Sequence, residues 1–382
     1  MTRDNDTLGD MTSLLAALVS IDSVNPDLIP GGAGERAVAD AIAQWGSAAG
    51  LEVETLTEHP ERPSVVVRAR GSGRGGTLLL CGHIDTVGVA GMTEPFDARV
   101  DGDRLHGRGA YDMKGGVAAA LLACRDAATL GLAGDVVVAA VADEEHASVG
   151  VREVLRHVRA DAAIVTEPTE LEVAIAHRGF VWIEIEVRGR AAHGSRPRLG
   201  VDAIAHAGPI LTGIGDLDSR LAERPHPLLD RGSIHASLIE GGTELSSYPD
   251  RCRISLERRT LPGEASASVE AEIEEILAGT RGRVPGLDAA QRTLLVREPF
   301  EIDADAELVG IVAVAASANG VSPSIGGASY WADAAFIDAA GIPCVLFGPA
   351  GEGAHATEEW VSLSSCEAVR ATLVDVARHV CR

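Results

Sequence analysis

Short apolar runs punctuate the chain at residues 64–68, 77–81, 136–142, 162–165 and 344–347. They are rich in Val, Leu and Ile and show no apolar/polar alternation, the pattern of strands buried on both faces. Between two of them, residues 113–129 are dominated by Ala and Leu, which favour helix. Earlier, residues 14–21 are apolar at helical spacing. Ser23-Val-Asn-Pro then breaks the chain, Pro30-Gly-Gly reads as loop, and residues 35–45 resume helical periodicity. Strands alternating with helices predict an α/β fold with a mixed sheet covered by helices.

From about residue 180 to 296 the rhythm changes. A strand at 181–187, a helix at 201–216, strands at 233–239 and 252–258, an amphipathic helix at 266–278 and a strand at 292–296 follow in turn. That order, β-α-β-β-α-β, is the ferredoxin-like motif. It predicts a module, residues 179–296, inserted into a larger domain formed by residues 1–178 and 297–382. In the second part of that domain a helix at 306–318 precedes the strand at 344–347. A chain of 382 residues suits about two domains.

Charge narrows the partners. With 56 acidic and 33 basic residues, the formal charge is −23. A field of that sign repels phosphate backbones and anionic headgroups, so neither nucleic acid nor a membrane surface is expected as a partner. No apolar run reaches the roughly 18 residues of a membrane span. The N-terminal Met-Thr-Arg-Asp-Asn-Asp shows no basic patch followed by an apolar stretch, so no signal peptide is expected. The six cysteines are scattered without CxxC pairing, several within apolar runs. They are expected as buried reduced thiols in a reducing, cytoplasmic compartment.

Two motifs fall away. Gly71, Gly73 and Gly76 fit G-x-G-x-x-G, but the run leads into a strand instead of a helix, so it is expected to be a hairpin loop. No G-x-S-x-G nucleophile elbow exists; Ser329, in Gly327-Ala-Ser-Tyr-Trp, lacks the closing glycine. The informative residues are polar groups at the ends of the apolar runs, where sites form in open α/β sheets. His83 and Asp85 close one run, and the carboxylate is placed to hold the second ring nitrogen of a metal-bound imidazole. Taken alone, the spacing is better read as a satisfied surface His–Asp pair. Asp112, in a glycine-rich loop entering a helix, is either an N-cap or a carboxylate shared by two cations. Glu144 and Glu145 follow another strand: an acidic loop, or one metal ligand beside one proton carrier. Glu167 follows a further strand and His355 lies in a loop after the last. Taken together, these His, Asp and Glu groups form a mixed N/O set suited to zinc or related divalent ions, and five of them would serve two ions sharing one carboxylate.

These strings resemble the M20 family of metallopeptidases and aminoacylases: Gly82-His-Ile-Asp-Thr-Val, Gly107-Arg-Gly-Ala-Tyr-Asp-Met-Lys-Gly, Asp143-Glu-Glu, Thr166-Glu-Pro-Thr and the His355 loop, in family order. The resemblance implies a zinc-dependent exopeptidase-like catalytic domain interrupted by a lid through which the family usually dimerises. It implies two Zn2+, with Co2+ or Mn2+ as substitutes: His83 and Glu167 at one ion, Glu145 and His355 at the other, Asp112 between them. Glu144 resembles the general base and Asp85 the carboxylate behind His83. In the lid, His193 resembles the histidine that stabilises the oxyanion, and Arg259 the arginine that grips a substrate carboxylate. Ser329 lies in a segment similar to the substrate-binding loop. Where many relatives carry Asn-Val-Ile-Pro, this chain has Ser246-Ser-Tyr-Pro, so the asparagine's contact is missing. The implied reaction is removal of an acyl group from a small N-acyl amino acid, acetylornithine deacetylase-like. Desuccinylation of succinyl-diaminopimelate and dipeptidase or carboxypeptidase activity are the alternatives, with an inactive amino-acid-binding relative as the non-enzyme reading.

Overall fold

The apolar runs become the strands of one mixed sheet. In the computed structural model, which describes residues 11–382, these are β1 (Glu52–Leu56), β2 (Ser64–Ala69), β3 (Leu78–His83), β4 (Val136–Val141), β5 (Ala162–Val165), β6 (Val173–His177) and β7 (Cys344–Leu346). Their spatial order is β1-β2-β4-β3-β5-β7-β6. The central four, β4, β3, β5 and β7, are mutually parallel; β2 and β6 join them antiparallel, and β1 pairs antiparallel with β2 at the edge. Every residue of β3, β4 and β5 is buried, which explains why their sequences never alternate. The N-terminal stretch on which the signal-peptide reading rests lies outside the described residues.

The 71–76 segment is not a hairpin loop. β2 and β3 are separated by β4, antiparallel to one and parallel to the other. The segment therefore crosses the end of β4, and glycines permit the crossing: a Cβ on Gly134 would come within 1.8 Å of the Gly76 carbonyl oxygen. A glycine-rich run between two strands reads the same whether they pair or not. The deciding partner lies some sixty residues further on.

Helices cover this sheet. α1 (Met11–Val19), α2 (Arg36–Ala48), α3 (Gly115–Ala127), α4 (Val149–His157), α5 (Glu307–Ala318) and α6 (Leu363–Val380) surround it. The long α6 packs on α3 and α5. α3 is buried through its first ten residues, on all faces, so its Ala-rich composition is a packing requirement as well as a helical preference.

The chain divides into two compact units. Among the described residues, the first comprises 11–175, 302–326 and 332–382; the second comprises Ala176–Glu301 together with Gly327–Trp331. The latter segment, expected in the larger domain, groups with the second unit because the Trp331 indole donates to the Glu298 carbonyl (3.0 Å) and stacks edge-on against Phe180. The second unit has strands Gly179–Arg188, Ser233–Gly241, Arg251–Thr260 and Asp288–Arg297, with helices Ala203–Leu221 and Ser266–Arg283. Numbered 1 to 4 in chain order, its strands lie 2-3-1-4, all antiparallel, which is the ferredoxin-like arrangement. It has its own apolar core, built from residues such as Ile183, Ile185, Ile210, Ile254 and Ile273. All six cysteines are free and buried. Among the described residues, no helix is long and apolar enough to cross a membrane.

Candidate metal centre

The four parallel strands all deliver their chemistry at the same edge. His83 ends β3, Glu144 and Glu145 follow β4, Glu167 follows β5, and His355 lies in the loop after β7. Carboxyl ends of parallel strands are where α/β sheets build sites. Asp112 comes from the Ala110–Lys114 turn that enters α3. It is not an N-cap: α3 starts at Gly115, and Asp112 has φ −113° and ψ 94°.

The five residues read as ligands converge. His83 Nε2 is 3.1 Å from Asp112 Oδ1 and 3.8 Å from Glu167 Oε1. His355 Nε2 is 3.2 Å from Asp112 Oδ2 and 3.3 Å from Glu145 Oε1. Asp112 thus turns one oxygen to each histidine, and two ligand groups share it: His83–Asp112–Glu167 and Asp112–Glu145–His355. Glu144, in neither group, brings Oε2 to 4.0 Å from His83 Nε2.

Asp85 differs from its expected role. The His83 Nδ1 partner is the Asp85 backbone carbonyl at 3.0 Å, with the carboxylate at 3.6 Å. That carboxylate accepts instead from the backbone N–H groups of Glu144 (3.1 Å) and Glu145 (3.2 Å) and from Asn25 Nδ2 (2.8 Å). Strand β3 ends at His83, so Asp85 lies beyond it, where strand alternation no longer sets its direction.

The electrostatics call for positive charge. Burial pushes the carboxyls of Glu144, Glu145 and Glu167 above their ordinary range; neighbouring carboxylates add to this and the imidazoles oppose it. Burial works against charge on His83 and Asp112 alike. Even so, the hydrogen bond to Asp112, with the carboxylates around it, holds His83 well above its usual pKa, and hydrogen bonds from His355 and His83 hold Asp112 below the carboxylate range. The carboxylates of Asp112 and Glu145, 3.2 and 3.3 Å from its Nε2, draw His355 up to about 10. Glu145 Oε1 is buried and, though near His355, finds no aligned donor among the described residues. Orphaned buried oxygens of this kind are what a bound cation satisfies. Two imidazoles and three carboxylates, one of them shared, fit a pair of divalent ions in number and donor type.

The three remaining sequence candidates belong to the second unit. The exposed His193 has Nδ1 2.8 Å from Ser195 Oγ. Arg259 donates from Nε to Glu257 Oε1 at 2.8 Å and lies over the Phe180 ring at 5.1 Å. Ser329 is exposed in the Gly327–Trp331 segment.

The family model described as peptidase family M20/M25/M40 matches residues 79–379. The chain belongs to this family. Among curated relatives, the acetylornithine deacetylase of Proteus mirabilis (strain HI4320) is 28% identical, covering 99% of this chain and 98% of its own. The acetylornithine deacetylase of Myxococcus xanthus is 31% identical, covering 84% and 85%. Among solved structures, aminopeptidase PepT from Bacillus cereus ATCC 10987 superposes with a TM-score of 0.80 at 19% identity, covering 98% and 99%. The Bacillus subtilis YXEP protein, described as a dinuclear metal-binding peptidase of the M20 family, gives 0.77 at 17%, covering 99% of each chain. At such identities these two structures speak to the fold. As an M20 member, the chain is a metal-dependent hydrolase of amide or peptide bonds.

Residues the motifs did not single out complete the M20 centre. Arg62 donates to Glu35 from Nε and Nη2 (2.7 Å each), to Asp143 at 2.8 Å, and also to Asp27. Asn25 Nδ2 bridges Asp85 and Asp143. Glu359 accepts the backbone N–H groups of Gly109, Tyr111 and Asp112. Weak signals existed: Asn25 sits in the Ser-Val-Asn-Pro break, and Glu359 lies four residues after His355.

Proposed function

We propose that this M20 enzyme removes the acyl group from a small N-acyl amino acid, with acetylornithine as the first candidate substrate, using two zinc ions. The observation that carries the reading is the shared Asp112 carboxylate, one oxygen toward each histidine, with the unshared Glu144 beside it. The substrate class rests on relatives named acetylornithine deacetylase that align along most of the chain.

Two divalent ions, when bound, polarise an amide carbonyl and lower the pKa of water towards ~7. His83 and Glu167 would hold one ion, Glu145 and His355 the other, and Asp112 would serve both. Glu144 takes the proton released as water attacks the carbonyl carbon, then delivers it to the leaving amine nitrogen. Burial, which keeps its carboxyl above the ordinary range, suits a group that must accept and return a proton. Asp85 fixes the Glu144–Glu145 backbone through its two N–H bonds. In the second unit, read as a lid and dimerisation module, His193 donates to the developing oxyanion and Arg259 pairs with the substrate carboxylate. Ser329 is a further substrate contact. The enzyme acts in the cytoplasm as a homodimer.

The Glu144→Gln variant tests the mechanism. It is expected to bind two equivalents of zinc while kcat falls by at least ~10²-fold. Undiminished turnover removes Glu144 from the reaction. N-acetyl-ornithine, N-succinyl-diaminopimelate and a dipeptide, assayed side by side with the wild type, test the substrate. Preference for either of the latter two overturns the deacetylase reading.

A further inference from the structure

The two loops that bring Asp112 and His355 to the centre are tied together by a buried pair the reaction does not use. Glu359 is 2% exposed. Its Oε1 accepts the N–H groups of Tyr111 (3.0 Å) and Asp112 (3.1 Å), and its Oε2 accepts that of Gly109 (3.1 Å) and Arg108 Nη1 (2.5 Å). Arg108, 3% exposed, then reaches back with Nη2 to the carbonyl of Ala356 (2.9 Å), the residue after His355. The Gly107 N–H closes the circuit on the Glu359 carbonyl at 3.1 Å. One carboxylate thus gathers three N–H groups from the Asp112 side, and one guanidinium carries the tie to the His355 side.

These two loops need such a tie more than the segments that carry His83 and Glu167. His83 is the last residue of the fully buried β3, and Glu167 lies two residues beyond β5, so the sheet itself positions them. Asp112 lies in a non-helical kink, and His355 has φ +61°, a conformation that costs an L-residue free energy unless its surroundings impose it. A small ladder, Gly351–Glu352 with Trp360–Ser362 and that strand with Arg104–His106, joins the two loops at their bases but ends three or more residues short of either ligand.

We infer that Glu359 and Arg108 are positioning residues that set the distance between Asp112 and His355, and so govern the cation held by Glu145 and His355 more strongly than the one held by His83 and Glu167. This rests on the two-cation reading above. Partners that orient metal ligands commonly change affinity by about 10–100-fold when removed.

The test is isothermal titration of the cation-free full-length protein with Zn2+, comparing wild type, Glu359→Gln and Arg108→Lys. Wild type is expected to show two binding events. Glu359→Gln keeps the shape but places an amide N–H against backbone N–H groups or Arg108. It is expected to weaken one event about 10-fold or more and the other much less, with kcat reduced and KM little changed. Arg108→Lys keeps the charge but loses the forked reach to Ala356, and is expected to show the same asymmetry in smaller degree. Two events unchanged in both variants, or both events weakened equally, overturn the inference. If Glu359→Gln does not fold, judged by circular dichroism, Arg108→Lys decides alone by the same criterion. Fewer than two events in the wild type instead overturn the two-cation reading, so the two failures are told apart.

Discussion

Arg62 stands almost fully buried among carboxylates. It satisfies both oxygens of the buried Glu35 and one of the buried Asp143, while Asn25 links Asp143 to Asp85. Asp143 has φ +69°, and its carbonyl accepts the N–H groups of Ala147 and Ser148, closing the turn that carries Glu144 and Glu145. Arg62 therefore neutralises the layer directly behind the acidic turn. Burial already pushes the Glu35 carboxyl upward and the Arg62 hydrogen bond restrains it. Replacing Arg62 with Met leaves two buried carboxylates without their cation, a change that costs about 3–5 kcal/mol when a buried pair is broken from one side. Arg62→Met is expected to lower the unfolding free energy in urea by an amount of that order, whereas Arg36→Met, which removes an exposed arginine, changes it by less than about 0.5 kcal/mol. Equal effects at the two positions contradict this account.

At the scale of elements, helix α3 and strand β5 meet with no room to spare. A Cβ on Gly116 would lie 1.9 Å from the carbonyl oxygen of Thr166, the residue before Glu167. Alanine is the better helix former by about 1 kcal/mol, but it cannot be accommodated against backbone without movement. Gly116→Ala is therefore expected to destabilise by about 1–3 kcal/mol despite the helical gain, and to reduce turnover by shifting Glu167. Gly310 in α5 is the contrast: nothing lies within 4 Å of a Cβ there, so Gly310→Ala is expected to stabilise by up to about 1 kcal/mol with activity unchanged. Thermal or urea unfolding of the two variants, with assays alongside, reads both signs. Elements differ in the same way in how visible they are along the chain. β3, β4 and β5 are legible because burial on both faces leaves only apolar residues. β1, Glu-Val-Glu-Thr-Leu at the sheet edge and mostly exposed, carries no such signal. His83, Glu144, Glu145 and Glu167 are legible as polar residues at or just past the ends of apolar runs, and Asp112 and His355 as polar residues in glycine-rich loops. Arg62, Arg108 and Glu359 are not, because each acquires its meaning from partners dozens to hundreds of residues away that no local pattern records.

At the scale of the whole molecule, the centre belongs entirely to the first unit, since His83, Asp85, Asp112, Glu144, Glu145, Glu167 and His355 all fall within it. The second unit closes its own core over its four-stranded sheet. Cations bound by this site act on the folded state of the first unit by mass action. At a free concentration about 1,000 times the dissociation constant, each contributes about 4 kcal/mol. Their removal also leaves Asp112, Glu144, Glu145 and Glu167 facing one another with only the two imidazoles to offset them. Chelation is therefore expected to lower the unfolding midpoint, and its structural effect is expected to be local. Amide hydrogen exchange should quicken in the loops at 107–114, 143–148 and 353–359, where ligands sit on irregular backbone. It should stay slow in strands Gly179–Arg188 and Arg251–Thr260, whose ladder and apolar core contain no ligand. Zn2+ added back should restore protection in the three loops. Loss of protection spread evenly through both units on chelation, or none in the loops, would mean that the carboxylate cluster is not where the stabilising cations bind.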